Sequence, residues 1–79
     1  MNHHNAKVRK KKIVKDEVFR KILDDHELRD RIMEATGLRD DGVRAFAYRK
    51  SQKRIMDINI MNAIKKHTKW TDKEIFTTV

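Results

Sequence analysis

Between Met1 and Val79 the chain has no proline and only two glycines, Gly37 and Gly42, so little along it interrupts a helix. An internal proline costs a helix about 3 kcal/mol and an internal glycine about 1 kcal/mol relative to alanine, and both penalties are nearly absent here. Helix is therefore the expected default. Gly37 is the main punctuation mark, placed between two apolar-periodic segments. A length of 79 residues allows one domain with a single modest core. With 38% hydrophobic and 41% charged residues, that core is sufficient without surplus, and a partner chain can add to its stability.

The apolar spacing predicts five helices. Val14, Val18, Phe19, Ile22 and Leu23 recur every three or four positions from Ile13 onward, the signature of one helical face. Asp24 and Asp25 are expected to close this first helix. A second fits His26 to Thr36 with Leu28, Ile32 and Ala35 inward, ended by Gly37 in the left-handed conformation. Asp40 or Asp41 can cap a third helix of about 40–49, whose inward side is Val43, Phe46 and Ala47. A fourth is expected from about Gln52 to His67, with Met56, Ile60, Ala63, Ile64 and His67 on one face and Ile55 and Ile58 as a second apolar strip. Thr71-Asp72-Lys73-Glu74 is a capping box that opens a short fifth helix carrying Ile75 and Phe76. The expected architecture is all-α: a flexible basic arm over residues 1–12 and one domain over 13–79. Val8 and Ile13 leave open a short strand at the arm.

Charge is unevenly placed. Residues 1–15 carry +6, residues 16–50 carry −1 and residues 51–79 carry +3, which makes the formal net charge of +8. Positive blocks attract polyanions through counterion release. Charges break every apolar run, which excludes a transmembrane helix, and the N-terminus lacks the apolar stretch of a secretory signal. A membrane-surface role is disfavoured because the arm has no aromatic or leucine face to insert. With no cysteine, disulfides and thiolate metal sites are excluded. His3, His4, His26 and His67 show no ligand spacing, and His67 fits a hydrogen-bonded core or rim histidine, so no metal or cofactor is expected. Asp24-Asp25 and Asp40-Asp41 are neighbours that diverge by about 100° on a helix and read as caps, and no nucleophile–base pair or phosphate loop suggests an enzyme.

Ile32, Gly37, Leu38, Val43 and Phe46 follow one another at offsets of five, one, five and three. These are helix-turn-helix spacings: the glycine permits the turn, Leu38 plugs the gap between helices, and Val43 and Phe46 anchor the second helix. Such a unit displays the outer face of that second helix for a DNA major groove. The stretch RIMEATGLRDDGVRAF and the ending HTKWTDKEIF resemble the lambda-repressor-like family of phage repressors, Cro proteins and XRE-type bacterial regulators. The resemblance runs from about Val14 to Phe76. Met33 departs from it, standing where the family usually has a small alanine.

The resemblance implies a five-helix domain that binds double-stranded DNA as a transcriptional regulator, most often a repressor, in a bacterial cytoplasm or a phage-infected host. By position, Arg39, Asp40, Asp41, Arg44, Ala45 and Tyr48 would face the bases. Arg39 and Arg44 suit bidentate guanine contacts, each contributing about 1–3 kcal/mol of discrimination, whereas Asp40 and Asp41 would accept from cytosine or cap the helix. Lys7, Arg9, Lys10, Lys11, Lys12, Arg49, Lys50, Lys53 and Arg54 are the phosphate-contact candidates. Ile55 and Ile58 are either a homodimer interface or packing beneath the first helix or the arm. The other readings are a protein-interaction adaptor or antitoxin-like partner that keeps the fold without reading DNA, and non-specific RNA binding through the arm. No small-molecule ligand is evident.

Overall fold

Apolar periodicity decides most of the architecture. The computed structural model describes residues 11–78. A short strand β1 (Lys12–Val14) leads into α1 (Asp16–Asp24), α2 (His26–Thr36), α3 (Asp40–Tyr48), α4 (Gln52–Ile55), α5 (Ile58–Thr68) and α6 (Asp72–Ile75), and the described chain ends in β2 (Phe76–Thr78). Helix α1 packs on α3 and α2 packs on α5. Between them lies one core in which Val18, Phe19, Ile22, Leu28, Ile32, Val43, Phe46, Ile60 and Ile64 are almost wholly removed from water. No helix among the described residues is long and apolar enough to cross a membrane.

The two long helices end by the same device. At α2, the Thr36 hydroxyl donates to the Ile32 carbonyl at 2.7 Å and accepts from the Leu38 N–H at 3.1 Å. At α5, Thr68 repeats this with Ile64 at 2.7 Å and Trp70 at 3.0 Å. The residue after each threonine is left-handed: Gly37 at φ 80° and Lys69 at φ 62°. Orphan carbonyls of the last turn are thereby satisfied, and the half-buried Leu38 and Trp70 fold back onto the core.

Several expectations are corrected. The fold is not all-α, because β1 and β2 form an antiparallel pair with Lys12 opposite Thr78, Ile13 opposite Thr77 and Val14 opposite Phe76. Lys12 thus belongs to a strand, Ile13 does not begin the first helix, and Phe76 leaves the last helix after a single capped turn. The sheet persists because a side chain acts as its missing neighbour. The Gln52 amide accepts from the Val14 N–H at 2.8 Å and donates to the Val14 carbonyl at 2.9 Å, and the Lys15 N–H reaches the Ile75 carbonyl at 2.8 Å.

The described residues hold six helices rather than five. The long fourth helix breaks at Met56, because the Asp57 carboxylate caps a new start by accepting from the Asn59 and Ile60 N–H groups at 2.8 and 3.3 Å. The break rotates the preceding turn. Ile55 becomes fully buried, Met56 is exposed, and Ile58 stays 71% exposed. The supposed strip of Ile55 and Ile58 therefore does not exist as one surface, and Ile55 belongs to the chain's own core. Ala35, expected inward, is exposed.

The shared cap predicts opposite responses at its two left-handed positions. Gly37→Ala lowers stability by about 1 kcal/mol, since an L side chain in that region costs about 1–2 kcal/mol while a Cβ there meets nothing within 4 Å. Lys69→Gly raises stability, by up to about 1 kcal/mol. Urea unfolding of both variants checks the pair.

Candidate nucleic-acid interface

The site is organised by an arginine that the sequence reading passed over. Arg29, on α2, has a side chain only 12% exposed. Its Nη1 donates to the Ile22 and Leu23 carbonyls at 3.0 and 2.6 Å, and its Nε donates to Asp40 Oδ1 at 2.9 Å. One guanidinium thus caps the end of α1, where carbonyls have no helical partner, and holds the first residue of α3. Asp40 Oδ2 in turn accepts from Arg44 Nη1 at 3.1 Å, one helical turn on. The hydrogen bond from Arg29, supported by the positive charges of Arg29 and Arg44, holds the Asp40 carboxyl below the usual carboxylate range.

Helix α3 is cleanly two-sided. Val43, Phe46 and Ala47 are buried, while Asp41, Arg44 and Tyr48 are exposed and Ala45 is half-buried. At 100° per residue the exposed set lies opposite the buried one. Arg39, just before the helix, is exposed, and Asp41 Oδ1 accepts from the Gly42 N–H at 3.0 Å. The residues expected to face bases therefore share one side, with one difference. Both Asp40 oxygens are committed inside the chain, so its part is to hold two arginines.

Past the helix, Arg49, Lys50, Lys53 and Arg54 are all exposed. Lys50 takes a left-handed conformation at φ 53° and its Nζ lies 3.4 Å from Asp16 Oδ2. Arg39, Arg49, Lys53 and Arg54 make no ion pair among the described residues. Lys11 is exposed, and Lys12 Nζ sits 5.1 Å from the Phe76 ring centroid, a cation–π distance. Lys7, Arg9 and Lys10, with Val8, lie outside the described residues.

A second polar cluster joins α1, α2 and α5. Asp25 caps α2 by accepting from the Leu28 N–H at 3.1 Å, and its other oxygen meets Lys21 Nζ at 3.0 Å and His67 Nε2 at 3.1 Å. The Lys21 hydrogen bond, then those from Leu28 and His67, push the Asp25 carboxyl far below the ordinary range. Glu27 brings a third potential ligand atom within 4.8 Å of those of Asp25 and His67. Asp25 Oδ2 is already bonded to both the Lys21 ammonium and His67, so the cluster reads as a hydrogen-bond hub. His67 is the half-buried, hydrogen-bonded histidine that its helix position suggested. No spacing rule links Arg29 to Asp40 or Asp25 to His67, and the hub's local signals are Asp25 three residues before Leu28 and Lys21 four residues before Asp25.

No protein-family model, no curated protein and no solved structure matches this chain. The geometry of the site is therefore what carries a functional reading.

Two outcomes follow for stability. Arg29→Met removes three hydrogen bonds from a largely buried charged donor and leaves the Ile22 and Leu23 carbonyls without that partner, while Asp40 keeps Arg44; unfolding free energy falls by about 2 kcal/mol in denaturant titration. The depressed carboxyls of Asp25, Asp40 and Asp72 (the last bonded to Lys65 Nζ at 2.8 Å) stabilise the fold while ionised. That contribution is complete above the unfolded carboxyl value and is lost as pH falls through the folded values, so stability decreases below about pH 4. Asp25→Asn flattens that acid limb in melts recorded from pH 5 to pH 2, and an unchanged limb would assign it to other carboxyls.

Proposed function

We propose that this chain is a DNA-binding regulator of lambda-repressor-like type that places α3 in the major groove. The observation that carries the proposal is the unit α2–Gly37-Leu38-Arg39–α3, with Arg39, Arg44 and Tyr48 exposed, Ala45 half-buried on the same outer side and the inner face buried. Helix α3 has nine residues and is about 13–14 Å long, enough to lie across a groove about 12 Å wide. Arg49, Lys50, Lys53 and Arg54 follow directly and supply phosphate contacts that fix register without reading sequence. The added helix and sheet depart from a five-helix domain only around this unit.

Under this reading Arg39 and Arg44 are the base readers. Tyr48, 79% exposed, presents an aromatic ring at the end of the same stripe, where it reaches sugar or a thymine methyl. Lys11 and Lys12 add backbone attraction. A homodimer would use two-fold-related half-sites about one helical turn apart, and Ile58 is the member of the expected interface that is available for it.

The protein-interaction adaptor is the second reading, favoured by the exposed Asp41 and by Met56 and Ile58 at 51% and 71% exposure. A salt-dependent fluorescence titration separates the two, using random duplex, single strand and the DNA upstream of the protein's own gene. The regulator binds one duplex at least about ten-fold more tightly than random DNA, and Arg44→Ala removes most of that difference, about 1–3 kcal/mol. Equal binding to all three substrates that disappears on deleting residues 1–12 reduces the interaction to a polycation effect and overturns the proposal.

A further inference from the structure

Arg44 does not hang free on the surface of α3. Its Nη1 is fixed at 3.1 Å by Asp40 Oδ2, and Asp40 cannot swing away, because Oδ1 is held at 2.9 Å by the nearly buried Nε of Arg29. Arg29 is anchored by two carbonyls at the end of α1. A relay therefore runs from the core through Arg29 and Asp40 to a side chain 57% exposed on the outer face. An isolated surface pair of this spacing adds little to stability, and what distinguishes this one is the geometry it imposes on Arg44.

Resting on the DNA-binding reading above, we infer that Asp40 is a positioning residue that presents Arg44 to a guanine and restrains it from phosphate. One Nη1 hydrogen is taken by the carboxylate, and the other guanidinium donors remain available for the fork that guanine O6 and N7 accept. A held arginine has less rotamer freedom to lose on binding. The carboxylate also repels phosphate, so the guanidinium gains most where a base supplies two acceptors. Asp40 thus acts on specificity: it lowers affinity for any DNA while raising the ratio between the right base and the wrong ones. Arg39 makes no ion pair among the described residues, and nothing comparable orients it.

The test is sequence-resolved binding from a randomised duplex pool, run for the full chain, Asp40→Asn, Arg44→Ala and the double variant. The wild-type chain selects guanine at the Arg44 position by about ten-fold or more. Asp40→Asn keeps an acceptor for Arg29 and reduces that selection at least about three-fold. Its affinity for random duplex rises, and its log–log salt slope steepens by about one unit as Arg44 gains a phosphate contact. In the Arg44→Ala background, Asp40→Asn changes guanine selection no further. Thermal melts confirm the fold of each variant, and Asp40→Glu, which moves the carboxylate by one methylene, replaces Asp40→Asn if that variant does not fold. Full guanine selection in the Asp40 variant, or an equal loss at every base position, overturns the positioning role while leaving the DNA reading intact. A wild-type chain that selects no base at any position overturns both.

Discussion

The guanidinium of Arg29 is the point at which three helices are tied together. Two helices of the α1–α2–α3 unit have an end their own turn leaves open: α1 has carbonyls without helical partners, and α3 starts after Arg39, which gives no side-chain cap. Apolar contacts alone fix the separation of such helices better than their rotation or slide. Arg29 adds directional contacts, two to α1 and one to the first residue of α3, from a position with little access to water. The tilt of α3 relative to α1 and α2 is set there, and so is the surface that α3 displays.

What the sequence made legible depended on range. Helix α2 falls at His26–Thr36 as its periodicity and Gly37 require, and the capping box at Thr71 and Glu74 forms, with the Thr71 N–H donating to Glu74 at 2.8 Å. Both are local signals completed within a turn. The break at Asp57 was equally local yet misread, because Met56, Ile60 and Ile64 keep helical spacing across it, and periodicity does not register a missing hydrogen bond. Of the β1–β2 pair, only the strand left open at Ile13 was legible, and its pairing was not, for the opposite reason. Its partners lie more than sixty positions apart, and each strand has only three residues, too few for alternation to show. For the candidate site, the stripe on α3 followed from helical geometry, whereas the Arg29–Asp40 contact joins two helices across a turn and has no periodic signature.

The small sheet has a consequence beyond topology. By pairing β1 with β2, and by using Gln52 to complete Val14, it sets β1, with Lys12, beside α4. Helix α4 carries Lys53 and Arg54 on its exposed side. Lys12 and the pair Lys53 and Arg54, far apart in sequence, thus belong to neighbouring elements.

The fold also changes what the acidic start of α3 amounts to. In the sequence, Asp40 and Asp41 read as two negative charges at the start of α3. In the folded chain Asp40 lies between Arg29 and Arg44, so the three side chains together carry one positive charge. Only Asp41 projects an unpaired carboxylate, and at the first turn of α3 the helix dipole favours it. A helix that met DNA by charge alone would gain from replacing both acids. A helix that must hold one guanidinium at a fixed angle needs an acceptor beside it, and Asp40 is the acceptor whose own position is set from the core.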